Sequence, residues 1–76
     1  MDELLKYLVT SLVENKDAVE VNKSEDDKSV TFNVKVAGGD IGKVIGKNGK
    51  TAASIRTIMR TMAAKTHKKV FVKFED

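Results

Sequence analysis

The sequence contains no cysteine, no proline and no tryptophan, and a single histidine, His67. Without Cys, disulfides and thiolate metal sites are excluded, and a reducing compartment suits the chain. One His and no Cys leave only carboxylates as metal ligands. The adjacent pair Asp26 and Asp27 lies in a polar cluster that fits turn chemistry better than a metal site, so neither a metal nor another cofactor is expected. His67 stands beside Lys68 and Lys69 with no partners for a triad, and no two acids are placed to share proton transfer. An enzyme is therefore not expected. No apolar run approaches the length of a membrane span, and the opening MDELLKYL is acidic, unlike a signal peptide. The expectation is a cytoplasmic protein without membrane insertion. Aromatics are also few (Tyr7, Phe32, Phe71 and Phe74), too few for a full set of base-stacking platforms.

What remains is one small domain's worth of chain. Seventy-six residues, 41% hydrophobic and 33% charged, match an ordinary globular composition with a limited core. Net charge is only +3, but it is unevenly spread. Residues 1–37 carry five Lys and eight Asp/Glu, whereas residues 38–76 carry nine Lys/Arg and three Asp/Glu. Between Ile41 and Lys73 there is no acid at all. Such a segment is a footprint for a polyanion, although a solvated basic face would look the same.

Residues 2–15 place Leu4, Leu5, Leu8, Val9, Leu12 and Val13 at helical spacing, with Asp2 and Glu3 favouring the first turn. Residues 18–23 form a short strand candidate, Ser24 to Lys28 a hairpin turn, and residues 30–36 a period-two strand burying Val30, Phe32, Val34 and Val36. Gly38-Gly39-Asp40 interrupts, and Asp40 is positioned to cap a one-turn helix from Ile41 to Ile45. A longer helix follows from about Lys50 to Lys65, with Ala52, Ile55, Met59, Met62 and Ala63 on one stripe and Ile58 at its edge. Arg56 and Arg60 share another side. A last strand, 69–74, turns Val70, Val72 and Phe74 inward. The α-β-β-α-α-β order implies a three-stranded mixed sheet, 18–23, 30–36, 69–74, with three helices on one face and the last two strands parallel.

Between the two central helices lies Gly46-Lys47-Asn48-Gly49. A phosphate-binding P-loop would need a glycine where Val44 stands and a strand before it, in a larger chain; that reading fails. Asn48-Gly49 could turn a β-hairpin, but its flanks do not alternate. The remaining reading is a helix–turn–helix joint with exposed backbone. Gly46 would end the short helix in the left-handed region, and Gly49 would omit a Cβ where another chain passes. The amides of residues 48–51 would then open the long helix as a phosphate seat, with Lys47 and Lys50 beside it.

The run IGKVIGKNGKTAASIRTIM, set in this element order, resembles the signature of K-homology (KH) domains, and the order matches their type II arrangement. The resemblance spans essentially the whole chain as a single KH domain, 1–76, and is nearest to small bacterial single-KH RNA-binding proteins. It implies that Gly46, Lys47, Asn48 and Gly49 clamp the sugar–phosphate backbone of unpaired RNA, or of single-stranded DNA by the same contacts. Ile41 and Ile45 would line an aliphatic base groove, with Val44 in the core. Lys43, Lys50, Arg56 and Arg60 are candidate phosphate contacts. The resemblance further implies post-transcriptional regulation of an RNA-chaperone-like kind, connected with bacterial cell-envelope growth and division. It also implies pairing with a second copy or with a Jag-type KH partner. The rival reading is a KH-fold interaction module using Ile58, Met62 and Phe71 as a protein-binding patch. Uncompensated charge around Lys47 favours the RNA reading, and Ile58 with Met62 then becomes a dimer interface.

Overall fold

The computed structural model describes Asp2–Asp76. The chain forms helix α1 (Asp2–Thr10), strands β1 (Glu20–Glu25) and β2 (Ser29–Lys35), helices α2 (Ile41–Ile45) and α3 (Lys50–Ala63), and strand β3 (Lys69–Glu75). The sheet order is β1-β2-β3, with β1 antiparallel and β3 parallel to the central strand. The helices cover one face, and the shortest dimension, 16 Å, is that of one helix layer on one sheet. This is the type II KH topology that the resemblance implied.

Strand β2 anchors the core because both its neighbours hydrogen-bond to it. Its inward residues Val30, Phe32 and Val34 are buried, against Leu5 and Val9 of α1, Ile55 and Met59 of α3, and Val70 and Val72 of β3. Phe32 is the largest of the fully buried side chains. Truncating it to Ala should cost about 3–5 kcal/mol, a large share of what so small a domain has in reserve.

Several boundaries differ from the sequence expectation. Helix α1 stops at Thr10 rather than near residue 15. The Thr10 and Ser11 hydroxyls donate to the carbonyls of Tyr7 and Leu8, competing for the acceptors that would extend the helix, and Leu12 N–H reaches only three residues back to Val9. Leu12 is therefore exposed, and Val13 alone turns into the core. Strand β1 begins two residues late, because Lys16–Ala18 forms a 3₁₀ turn. It then runs through Ser24 and Glu25, and the hairpin is tighter than expected. Asp26 Oδ1 accepts from the amides of Lys28 and Ser29 at 2.7 Å each, which closes the turn. Helix α3 ends at Ala63, after which His67 takes a left-handed conformation at φ 58° on the surface. Met62 leaves the buried stripe. Among the described residues no element covers that side of α3, and the residue is 51% exposed.

Asp40 was expected to cap α2, yet its carboxylate makes no bond to that helix's own amides. It is 4% exposed and faces the chain after α1, accepting from Glu14 N at 3.3 Å and Asn15 N at 3.0 Å. Lys43 Nζ closes the cluster, 3.4 Å from Asp40 and 2.9 Å from Glu14. A buried carboxylate needs such partners. The link ties the end of α1 to the start of α2 across about 25 residues of sequence. The Asn15 amide, then that of Glu14, holds the Asp40 carboxyl below its usual 3.8 against the opposing effect of burial. A group held low in the fold stabilises fully above the unfolded value and stops doing so as pH falls through the folded one. Asp40→Asn should lower the urea midpoint at pH 7, and its gap to wild type should close as pH drops below 3.8. A gap that stays constant down to pH 2 would show that the carboxylate charge is not what the link uses.

Candidate nucleic-acid interface

The turn between α2 and α3 owes its shape to two glycines with different reasons to be glycine. Gly46 has φ 76° and ψ 175°, an extended conformation of positive φ that is essentially restricted to glycine, not the left-handed helical state expected from the sequence. A Cβ there would stand 2.6 Å from Thr51 Cβ and 2.9 Å from Thr51 N. Thr51, whose amide the sequence analysis places in the phosphate seat, is thus also the packing partner that seals the base of the loop, a role for its side chain that the spacing does not show. Gly49 is left-handed, φ 76° and ψ 9°, and a Cβ there would meet nothing within 4 Å. Its outer side is open space. Between them Asn48 adopts φ 57°, which asparagine tolerates better than most residues.

The phosphate seat is narrower than expected. Gly49 N–H donates to Gly46 O at 3.2 Å, and Lys50 N–H to Lys47 O, so these two amides are occupied within the turn. The Lys47 and Asn48 side chains point to solvent. In α2, Val44 is fully buried, Ile41 is half-buried against the core and Ile45 is 40% exposed, so the two isoleucines and the loop lie at one edge of the helix layer. Gly42 joins them: it is exposed, and a Cβ on it would meet nothing within 4 Å. A helical glycine costs about 0.5–1 kcal/mol relative to Ala, and packing gives no reason for this one.

The basic residues divide into engaged and free. Lys43, held by Glu14 and Asp40, has its pKa raised chiefly by the Glu14 hydrogen bond and is committed to the α1–α2 link. Arg56 leans onto β3, where Nε donates to Val72 O at 3.0 Å and the guanidinium lies 5.6 Å from the Phe74 ring centre. Its charge has no carboxylate partner. Among the described residues, neither do Lys47, Lys50 and Arg60. A concave pocket lies elsewhere, between α1 and β1, lined by Asp2, Glu3 and Glu20 with Lys6. Its carboxylates would repel a polyanion, so concavity and uncompensated positive charge lie in different places.

A family model described as KhpA/KhpB, KH domain, matches residues 2–74. The chain belongs to this family. Relatives include the RNA-binding protein KhpA of Caldanaerobacter subterraneus subsp. tengcongensis, 47% identical over 72 residues that cover 95% of this chain and 96% of that protein. The RNA-binding protein KhpA of Borreliella burgdorferi is 39% identical over 74 residues, 97% of this chain and 90% of its own length. That of Clostridium acetobutylicum is 42% identical over 72 residues, covering 95% and 96%. The family is one of small bacterial KH proteins and is not enzymatic.

For a KhpA/KhpB-type KH domain the two glycines should respond differently to a methyl group. Gly46→Ala adds a clash with Thr51 to an unfavourable backbone and should lose about 2–4 kcal/mol. Gly49→Ala meets only left-handed strain and should lose about 1–2 kcal/mol. Denaturant unfolding of both variants checks the order; equal losses would mean that Thr51 does not seal the loop.

Proposed function

We propose that this protein binds single-stranded RNA without catalysis, the Gly46–Gly49 loop gripping the sugar–phosphate backbone of about four nucleotides. The observation that carries the reading is the loop's asymmetry. Its inner side is sealed by Thr51 against Gly46, while its outer side is open at Gly49 and flanked by two lysines free of any carboxylate partner. The KhpA relatives are named RNA-binding proteins, which supports it. Lys47, Lys50, Arg56 and Arg60 contact phosphates, and Ile41 and Ile45 line the base groove. Lys43 contributes by holding α2 in place and has little charge to spare. Single-stranded DNA would satisfy the same phosphate contacts. The 76 residues act as one KH unit in the cytoplasm. By the resemblance, the role is post-transcriptional and RNA-chaperone-like, in the service of cell-envelope growth and division.

Replacing Lys47 and Asn48 with Asp together should preserve folding, since both side chains face solvent and Asp tolerates the positive φ at residue 48. Two negative charges at the seat should remove RNA binding in a filter titration; undiminished affinity in the folded variant would sink the assignment. For wild type, log affinity should fall linearly with log salt at about −0.7 per contact, or roughly −2 to −3 for three or four contacts.

One observation favours self-association as well. Ile58 and Met62, one turn apart on α3, are 40% and 51% exposed, which is more apolar surface than a solvated helix face requires. A second copy, or a Jag-type KH protein, covers them, and pairing two loops raises avidity for longer RNA. The shared KhpA/KhpB family supports the heterodimer. Ile58→Asp should give a folded monomer by light scattering, weakened on long RNA and little changed on a very short one. A wild type already monomeric at high concentration would leave only the heterodimer.

A further inference from the structure

The helices leave the other face of the sheet bare, and its side chains are not a random polar set. The cross-strand register puts Ser24, Thr31 and Phe71 in one row and Asn22, Asn33 and Lys73 in the next, with Ser29 and Lys69 before them. Phe71 is 48% exposed although valines flank it in the strand, and Lys69 and Lys73 stand two residues to either side on the same face. Neither lysine has a carboxylate within 4 Å among the described residues. The acids of this face sit at its ends. Asp26 is bound at one end by the Lys28 and Ser29 amides, and at the other Glu20 and Glu75 bracket Lys35. The two central rows carry no carboxylate, in a chain that has eleven.

Lysines on an edge strand can serve only to discourage sheet-to-sheet pairing. That role does not call for an aromatic ring between them, which works against it. An exposed ring between two cations, with amide and hydroxyl side chains on the adjoining strand, is instead the arrangement on which a base stacks while its phosphates are neutralised. The face is also reachable from the loop. Strand β3 is the sheet edge against which α3 packs, and Arg56 lies over it, bonded to Val72 O and stacked on Phe74. A strand leaving the loop groove past Arg56 would have this edge beside it, with Lys73 and Phe71 on the outer face of β3.

We propose that the open sheet face is a second single-strand contact, Phe71 stacking one base and Lys69 and Lys73 neutralising the phosphates on either side. It rests on the reading of the loop as the first contact and extends the site beyond the four or so nucleotides that the loop holds. The ligand class is unpaired nucleic acid longer than the loop groove can fill. Little sequence preference is expected, since every base offers a ring face and the row holds no carboxylate to select an amino-bearing edge.

The probes are random-sequence RNA pools of four and of twelve nucleotides. Phe71→Ala should bind the twelve-mer about tenfold more weakly and the four-mer within twofold of wild type. Lys69→Ala and Lys73→Ala should each reduce the salt slope on the twelve-mer by about 0.7 and leave the four-mer slope unchanged. Because the sequence has no tryptophan, Phe71→Trp introduces a single indole, which should keep twelve-mer affinity and be quenched on binding it. Folding of each variant is checked by circular dichroism. Wild-type affinity of Phe71→Ala for the twelve-mer, in a protein whose K47D/N48D form has lost it, would overturn the sheet contact and leave the loop standing. Loss in Phe71→Ala with K47D/N48D unaffected would overturn the loop reading instead. A Phe71→Ala protein that changes from dimer to monomer would mark the face as a protein contact and overturn the proposal.

Discussion

Residue 46 has to turn the chain out of α2 and lie against Thr51, and a side chain would prevent both. Its positive φ with ψ near 180° sends the backbone sideways, and the Thr51 side chain fills the space that a Cβ would occupy. From that contact follow the angle between α2 and α3, the 3₁₀ turn that uses up the Gly49 and Lys50 amides, and the outward presentation of Lys47 and Asn48. Shift residue 46 and the loop no longer stands clear of the helix layer. The Asp40–Lys43–Glu14 cluster plays the complementary part at the other end of α2, anchoring a helix of five residues that is too short to be stable alone.

Charge and shape thus have separate origins in this chain. The acidic first half, including Glu14 and Asp40's neighbours, is partly consumed in holding the fold, through Glu14 to Lys43 and Glu25 to Lys68. Those pairs are partly to fully exposed and individually weak. Their larger effect is on what they leave over: a surface around the loop, α3 and β3 whose remaining cations have no carboxylate partner among the described residues. By charge alone that surface would favour a polyanion and the acidic pocket between α1 and β1 would repel one.

Most of the fold was legible because its signals are periodic. Alternation of Val30, Phe32 and Val34 with polar residues identified β2 to within one position, and α2 was bounded correctly by Asp40 and Gly46. Legibility failed where hydrogen bonds between distant residues decide the outcome. No local pattern shows that Asp40 will serve Asn15 and Glu14 in place of its own helix, or that Thr10 and Ser11 will end α1 early. Met62 looked like core because helical spacing reports a face, not whether anything covers it. Within the site, the two glycines were readable by their spacing, but Thr51 under Gly46, the bare Gly42 and the committed state of Lys43 needed three dimensions. The charge-poor rows around Phe71 depend on cross-strand register, which a single strand's sequence does not contain.

On the proposed function, backbone and side chains of the α2–α3 turn form the primary receptor for a single strand. Amide chemical shifts of the uniformly labelled protein, followed during titration with a four-nucleotide RNA, test it most directly. The largest changes should cluster from Gly42 to Thr51 and at Arg56 and Arg60, while Val9, Phe32 and the residues lining the α1–β1 pocket stay still. Changes concentrated in α1 and β1, or none at concentrations where the RNA is demonstrably bound, would contradict it.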